Sequence, residues 1–251
     1  MVEAGRVTIE KAAGIGKVIF FHPKSNSLPG QLLADIAEAV NECGADPSVR
    51  VVVLQSEGER AFCAGASFEE LLSIRDVEIG KAFFMGFAKL ILAMRSCPKF
   101  VIARVQGKAV GGGVGVAAAA DYTLATERAA IKLSELAIGF GPFVIGPAVE
   151  RKVGAAAFAT LTIDTDWRDA QWAKEKGLFV EVHPTIEALD EVVLKLAQRL
   201  AQFNPEAMAS LKQIMFEGTD HWPSLLEERA AFSGRLVLSE FTSKAIHAFG
   251  A

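Results

Sequence analysis

Two short runs of small residues mark places where a ligand could meet bare backbone. Ala61-Phe62-Cys63-Ala64-Gly65-Ala66 follows a predicted strand, Val51 to Gln55, and Gln106-Gly107-Lys108-Ala109-Val110-Gly111-Gly112-Gly113 follows another, Lys99 to Val105. Small side chains leave main-chain N–H groups approachable, and two such loops side by side can aim two donors at one oxygen atom. Preorganised donors placed where negative charge develops are what stabilises an oxyanion in acyl chemistry. The same residues also suit tight turns and close packing, so the two runs by themselves leave both readings open.

Other chemistries find less support. Gly113-Val114-Gly115-Val116-Ala117-Ala118 has the GxGxxA spacing of a dinucleotide-binding turn. It lies mid-chain, away from the strand end, and lacks the βαβ start of such a domain. Gly107-Lys108 has neither the upstream glycine nor the following Ser/Thr of a P-loop, and no GxSxG elbow is present for a serine hydrolase. The four histidines, His22, His183, His221 and His247, form no HxxxH pair, so no zinc site is expected. Cys43, Cys63 and Cys97 are odd in number and not spaced as metal ligands, which suits a reducing cytoplasm. Cys63 reads as a space-filling residue of the first loop rather than a nucleophile.

The elements that must carry these loops follow from the apolar pattern. Short strands at Val7 to Glu10 and Lys17 to Phe21 precede a helix at Leu28 to Glu42, in which Leu32, Leu33, Ile36 and Val40 recur at helical spacing. After the strand at Val51 to Gln55, helices are expected at Phe68 to Ile74 and Glu78 to Arg95, the second stopped by Cys97-Pro98. Beyond the glycine run, Val114 to Ala120 reads as a buried helix of small residues, Tyr122 to Ala125 and Ala130 to Leu133 as strands, and the rest as helices. This β-β-α rhythm fits a layered α/β fold.

With 251 residues, 51% of them hydrophobic and 22% charged, the chain can bury a sizeable core as a globular protein. A net charge of −4 with no block of like charges argues against nucleic acid as a partner. The longest nearly uncharged run, Ala109 to Ala120, is too short to span a bilayer, and the residues from Met1 to Arg6 lack a signal-peptide layout. No membrane association and a cytoplasmic location are therefore expected.

The ordered pair of loops resembles the crotonase (enoyl-CoA hydratase/isomerase) superfamily, whose AGA(D) and GGG segments form an oxyanion hole for a coenzyme A thioester. Further stretches carry the resemblance along nearly the whole chain. His22-Pro23-Lys24-Ser25-Asn26-Ser27-Leu28 is similar to the family's (N)xPxxxNAL element, and Ala120-Asp121-Tyr122 to a step whose aspartate is a buried structural partner. Ile131-Lys132-Leu133-Ser134-Glu135-Leu136-Ala137-Ile138-Gly139 resembles F-x-x-P-E-x-x-x-G, which supplies a catalytic carboxylate; Glu135 also has the look of an early helix residue near a positive dipole end. The resemblance implies a spiral core of repeated β-β-α units at residues 1–199 and a C-terminal helical trimerisation region at 200–251. It implies Ala66 and Gly112 as oxyanion donors and Glu135 as general acid/base. Lys24, Ala64, Phe241 and Lys244 are the candidates for coenzyme A contacts, the last two from a Phe-x-x-Lys element on the final helix. No cofactor is implied beyond the coenzyme A of the substrate, and a homotrimer or hexamer is expected.

One departure decides the expected chemistry. Two-carboxylate hydratases of the family carry a first glutamate three residues beyond the middle glycine, and here Gly115 stands there. A single base suffices for a proton shuttle, whereas hydration needs a second group to orient water. The expectation is an enoyl-CoA isomerase, with Gly141-Pro142-Phe143 also similar to some isomerases. The alternatives are a hydratase whose water is held by another group, or a noncatalytic acyl-CoA-binding member. The acyl chain is expected among apolar residues around Phe68 to Phe87.

Overall fold

The computed structural model describes residues 5–250; the segment read above as lacking a signal peptide falls largely in residues 1–4, outside the described residues. The chain opens with β1 (Arg6–Ala12) and β2 (Ile15–Phe21), an antiparallel hairpin turned by Ala13 and Gly14 at φ of 50° and 80°. Two residues at positive φ give the turn whose twist matches that of the strands. Helix α1 (Gly30–Ala45) then leads into three successive turns of a spiral.

Each turn places one strand in a large sheet and the next in a small one. The first is β3 (Val51–Ser56), β4 (Ala61–Cys63), α2 (Phe68–Ser73) and α3 (Val77–Ser96). The second is β5 (Val101–Val105), β6 (Lys108–Val110) and α4 (Gly112–Ala119). The third is β7 (Tyr122–Thr126), β8 (Ala130–Lys132), a 3₁₀ turn at Leu136–Ile138 and α5 (Gly146–Ile163). Then follow β9 (Arg168–Asp169), α6 (Ala170–Glu175), β10 (Glu181–His183), α7 (Ile186–Ala201), α8 (Pro205–Met215), α9 (Trp222–Leu236) and α10 (Glu240–Gly250). The large sheet runs β1-β2-β3-β5-β7-β10, parallel from β2 onward, and the small one β4-β6-β8-β9. This is the α/β architecture of repeated β-β-α units that the rhythm of the sequence predicts.

Strand side chains alternate between faces, and β3 feeds two cores. Val52 and Leu54 point into the main core with α1 and α3, while Val51 and Val53 meet Leu189, Val193 and Ala197 of α7 on the opposite face. A strand covered on both sides has to be a continuous apolar run, which is why it is so legible in the sequence. The short strands are not: β4 and β6 lie inside segments read as loops, and β9 and β10 are absent from that reading.

The C-terminal helices are joined to the rest by backbone and by charge. Helices α3 and α9 cross so closely that a methyl group on Gly80 would lie 2.7 Å from the Gly234 carbonyl oxygen. From α8, the Lys212 ammonium reaches inward to pair with Asp121 at 2.8 Å, both side chains 3% exposed. It also donates to the carbonyls of Met94 (2.8 Å) and Lys99 (2.9 Å). Asp121 accepts from the Val101 N–H at 2.7 Å; its part is structural. Among the described residues no helix is long and apolar enough to cross a membrane.

Candidate active site

The two small-residue loops converge because β4, β6 and β8 lie side by side in parallel. All three release their chain at the same sheet edge: β4 into Ala64–Ala66, β6 into Gly111–Gly112 and β8 into Ser134–Glu135. The carboxyl ends of parallel strands are where α/β sheets hold ligands. A backbone bond from Gly111 N–H to the Lys132 carbonyl (2.8 Å) extends the β6–β8 pairing up to the site.

The first loop is braced from outside. Asn26, at φ 56°, accepts from the His22 N–H (2.9 Å) and donates to the carbonyls of Glu57 (2.9 Å) and Ala61 (3.0 Å). That turn presents its own backbone to the loop. Ala64 N–H donates to Ser25 (3.1 Å), Leu28 N–H to Gly65 (2.7 Å) and Ser67 N–H to Leu28 (3.3 Å), while Gly65 N–H meets Cys63 Sγ at 3.4 Å. Of the successive donors from Ala64 to Ser67, that leaves Ala66 N–H without an acceptor among the described residues. Gly112, the first residue of α4, likewise donates to no protein group there, as expected of a helix N-terminus. Gly65 holds the loops together: at φ 84°, a methyl group on it would stand 3.4 Å from Gly112 N and 2.7 Å from the Val110 carbonyl oxygen.

Glu135 caps the 3₁₀ turn and turns its carboxylate onto Gly111, where an added methyl would lie 2.8 Å from Oε1. Its Oε2 is buried with no hydrogen-bond partner. Burial pushes the carboxyl up to about 7, against the opposing pull of backbone N–H bonds from Glu135 and Ser134. A pocket against it is lined by Ala64 to Ala66, Gly111, Gly112, Phe84, Phe87 and the segment from Phe140 to Ile145, with Ser134 and Ser233. Glu135 is the ionisable group in that lining. Cys63 lies beneath the loop, its thiol pushed up to about 12 by burial, so it stays protonated at neutral pH.

Gly115 is answered by a residue that the sequence reading did not single out. A side chain starting there would come within 2.5 Å of Ile145 Cβ. Ile145, just before α5 and 4% exposed, occupies the room a first carboxylate would need. Gly115→Glu is therefore expected to lose about 3 kcal/mol or more of stability, from overpacking and from a buried charge. Urea unfolding measures it; wild-type stability would mean that Ile145 moves aside.

The coenzyme A candidates are only partly brought together. Lys24 and Ala64 line one cavity with Ala66, Phe68 and Glu69, and the Lys24 ammonium is paired with the Glu69 carboxylate. Phe241 and Lys244 do not line it. Phe241 is 64% exposed, with its ring edge against Gly139, and Lys244 pairs in solvent with Glu240 one turn away at 2.5 Å. The residues that α10 does contribute to that cavity are Ile246 and His247. Phe84 and Phe87 line the catalytic pocket as the acyl expectation requires, but the opposite wall, Phe140 to Ile145, was not assigned from sequence.

The sequence model of the enoyl-CoA hydratase/isomerase family matches residues 10–248. The chain belongs to that family. A probable enoyl-CoA hydratase of Bacillus subtilis is 30% identical over 233 residues, spanning 91% of this chain and 89% of that protein. A carnitinyl-CoA dehydratase of Proteus mirabilis is 29% identical, spanning 89% and 91%. Among solved structures, an enoyl-CoA hydratase from Mycobacterium avium subsp. paratuberculosis superposes with a TM-score of 0.85 at 28% identity, covering 97% of this chain and 95% of that one. The spiral is thus the crotonase fold, and this member of the enoyl-CoA hydratase/isomerase family is a crotonase-superfamily enzyme, hydratase or isomerase.

Proposed function

We propose that the enzyme isomerises the double bond of an enoyl-CoA through one carboxylate. The thioester oxygen lies between the N–H groups of Ala66 and Gly112. Glu135 removes a proton from C2 of a 3-enoyl-CoA, the charge spreads into a dienolate held by the two donors, and the same carboxylate returns the proton at C4. The observation carrying this reading is that one carboxylate, poised near neutrality by burial, serves a pocket whose second acidic position is filled by Ile145. A base with a pKa near the working pH is the efficient kind. Lys24 and Ala64, which line one cavity, hold the coenzyme A moiety. No cofactor is needed beyond that moiety, and the enzyme works in the cytoplasm as a homotrimer or hexamer.

A second reading is hydration or dehydration, favoured by the printed activities of the relatives. The hydroxyls of Ser134 and Ser233 line the same pocket and are the groups available to orient water. Offering 3-enoyl-CoA and 2-enoyl-CoA separately tests the choice. Isomerisation is expected to exceed hydration at least about tenfold, some 1.4 kcal/mol in barrier. Efficient hydration with little isomerisation would select the second reading, and binding without either turnover a noncatalytic member.

A further inference from the structure

The catalytic pocket is small and the space just beyond it is large. The pocket against Glu135 has a volume of about 40 Å³, room for roughly three water-sized groups. On its far side, between α5 and α9, lies a groove of about 810 Å³, mostly apolar through Leu136, Phe158, Ile163, Leu225, Phe232 and Leu236, with Glu228, Arg229 and Arg235 also in its lining. Both spaces are walled by the same four residues, Phe140, Gly141, Pro142 and Phe143.

The two aromatic rings of that wall are held very differently. Phe140 is 5% exposed and stands edge-on to Phe84, with centroids 5.4 Å apart, as part of the core. Phe143 is half-buried and tilted against Phe232 at 6.2 Å. A tight turn, Phe143 N–H to the Gly141 carbonyl at 2.7 Å, and a bond from Arg229 to its own carbonyl at 3.3 Å fix its backbone. The ring folds back over Gly141. A methyl group at Gly141 would lie 2.6 Å from Cε1 and 2.7 Å from Cζ, so the glycine is the slot in which the ring rests.

We propose that Phe143 closes the acyl end of the pocket and restricts the substrate to short acyl chains. With the thioester oxygen at Ala66 and Gly112, the pocket leaves room for only a few carbons before the chain meets the Phe143 ring. This rests on the acyl-CoA reading of the site. The groove makes the restriction a property of one side chain: without the ring, the pocket and the groove become continuous, and a longer chain gains an apolar channel.

Saturated acyl-CoAs test this by binding alone, independently of catalysis. Isothermal titration of the intact wild-type protein is expected to give a dissociation constant for decanoyl-CoA at least about tenfold above that for butanoyl-CoA, the scale of a few methylenes refused by a pocket. Phe143→Ala should equalise or reverse that ratio. Gly141→Ala, which keeps Phe143 but displaces its ring, should shift the ratio the same way, and it stands in if Phe143→Ala does not fold. Wild type binding decanoyl-CoA as tightly as butanoyl-CoA would overturn the proposal, as would folded variants with the wild-type ratio. Binding of neither ester would overturn the acyl-CoA reading itself. A normal length profile together with Glu135-independent turnover would remove only the catalytic assignment.

Discussion

Glu135→Gln is expected to slow deuterium exchange at C2 of a bound enoyl-CoA by about 10²–10⁴-fold, with little change in the affinity for the ester. Glutamine keeps the shape and the contact with Gly111 but cannot take a proton. Exchange followed by mass spectrometry decides the point, and near-wild-type wash-in would remove Glu135 from the mechanism. The same carboxylate sets a pH signature. As a base it must be ionised, so the wild-type rate should rise as pH passes about 7 and level off above it. Stability runs the other way. The folded pKa lies above the unfolded value of 4.5, so the folded state binds the extra proton between 4.5 and about 7 and loses stability as pH rises through that window. Glu135→Gln should therefore be the more stable protein at pH 8, by up to about 3 kcal/mol, with the gap closing towards pH 4. Thermal melts of both proteins across that range provide the check.

Gly112→Pro should lower turnover by about 10²–10³-fold, the usual cost of one oxyanion donor. Proline is tolerated at the first position of a helix, so α4 itself is not the obstacle. The obstacle is Phe87, whose Cζ would lie 2.7 Å from any β-carbon at position 112. Gly112→Ala meets the same ring while keeping its N–H, and the ratio between the two variants isolates the donor. Equal rates in two folded variants, judged by circular dichroism, would rule out Gly112 as half of the hole.

Much of this candidate site is legible in the sequence, for identifiable reasons. The strand from Val51 is buried on both faces, so Val51 to Leu54 appear as an unbroken apolar run, and the strand from Val101 departs from that pattern at Arg104, which pairs with Asp190. The vacancy at Gly115 is a matter of counting along the chain. What places the loops together was not readable, because β4 and β6 are three residues each. Such segments are too short to show a period, and their pairing joins parts of the chain far apart in sequence. Ile145 escaped notice for a similar reason: an isoleucine thirty positions from the residue it complements carries no local signal. The exposure of Phe241 and Lys244 depends on which face α10 turns inward. In a helix of mixed pattern that is settled by residues such as Thr242 and Ile246, 0% and 2% exposed, rather than by the aromatic residue.

The buried pair between Lys212 and Asp121 bears on how the protein is made. A ribosome emits Asp121 long before its counterion, and an unpaired carboxylate in that position costs about 3–5 kcal/mol. A nascent chain that has emerged only as far as α7 also leaves the Met94 and Lys99 carbonyls without their donor. Until α8 emerges, closing the core around the catalytic spiral carries that penalty. The active site therefore gains its full stability only once α8 (Pro205–Met215), well beyond Glu135 in the chain, has been made.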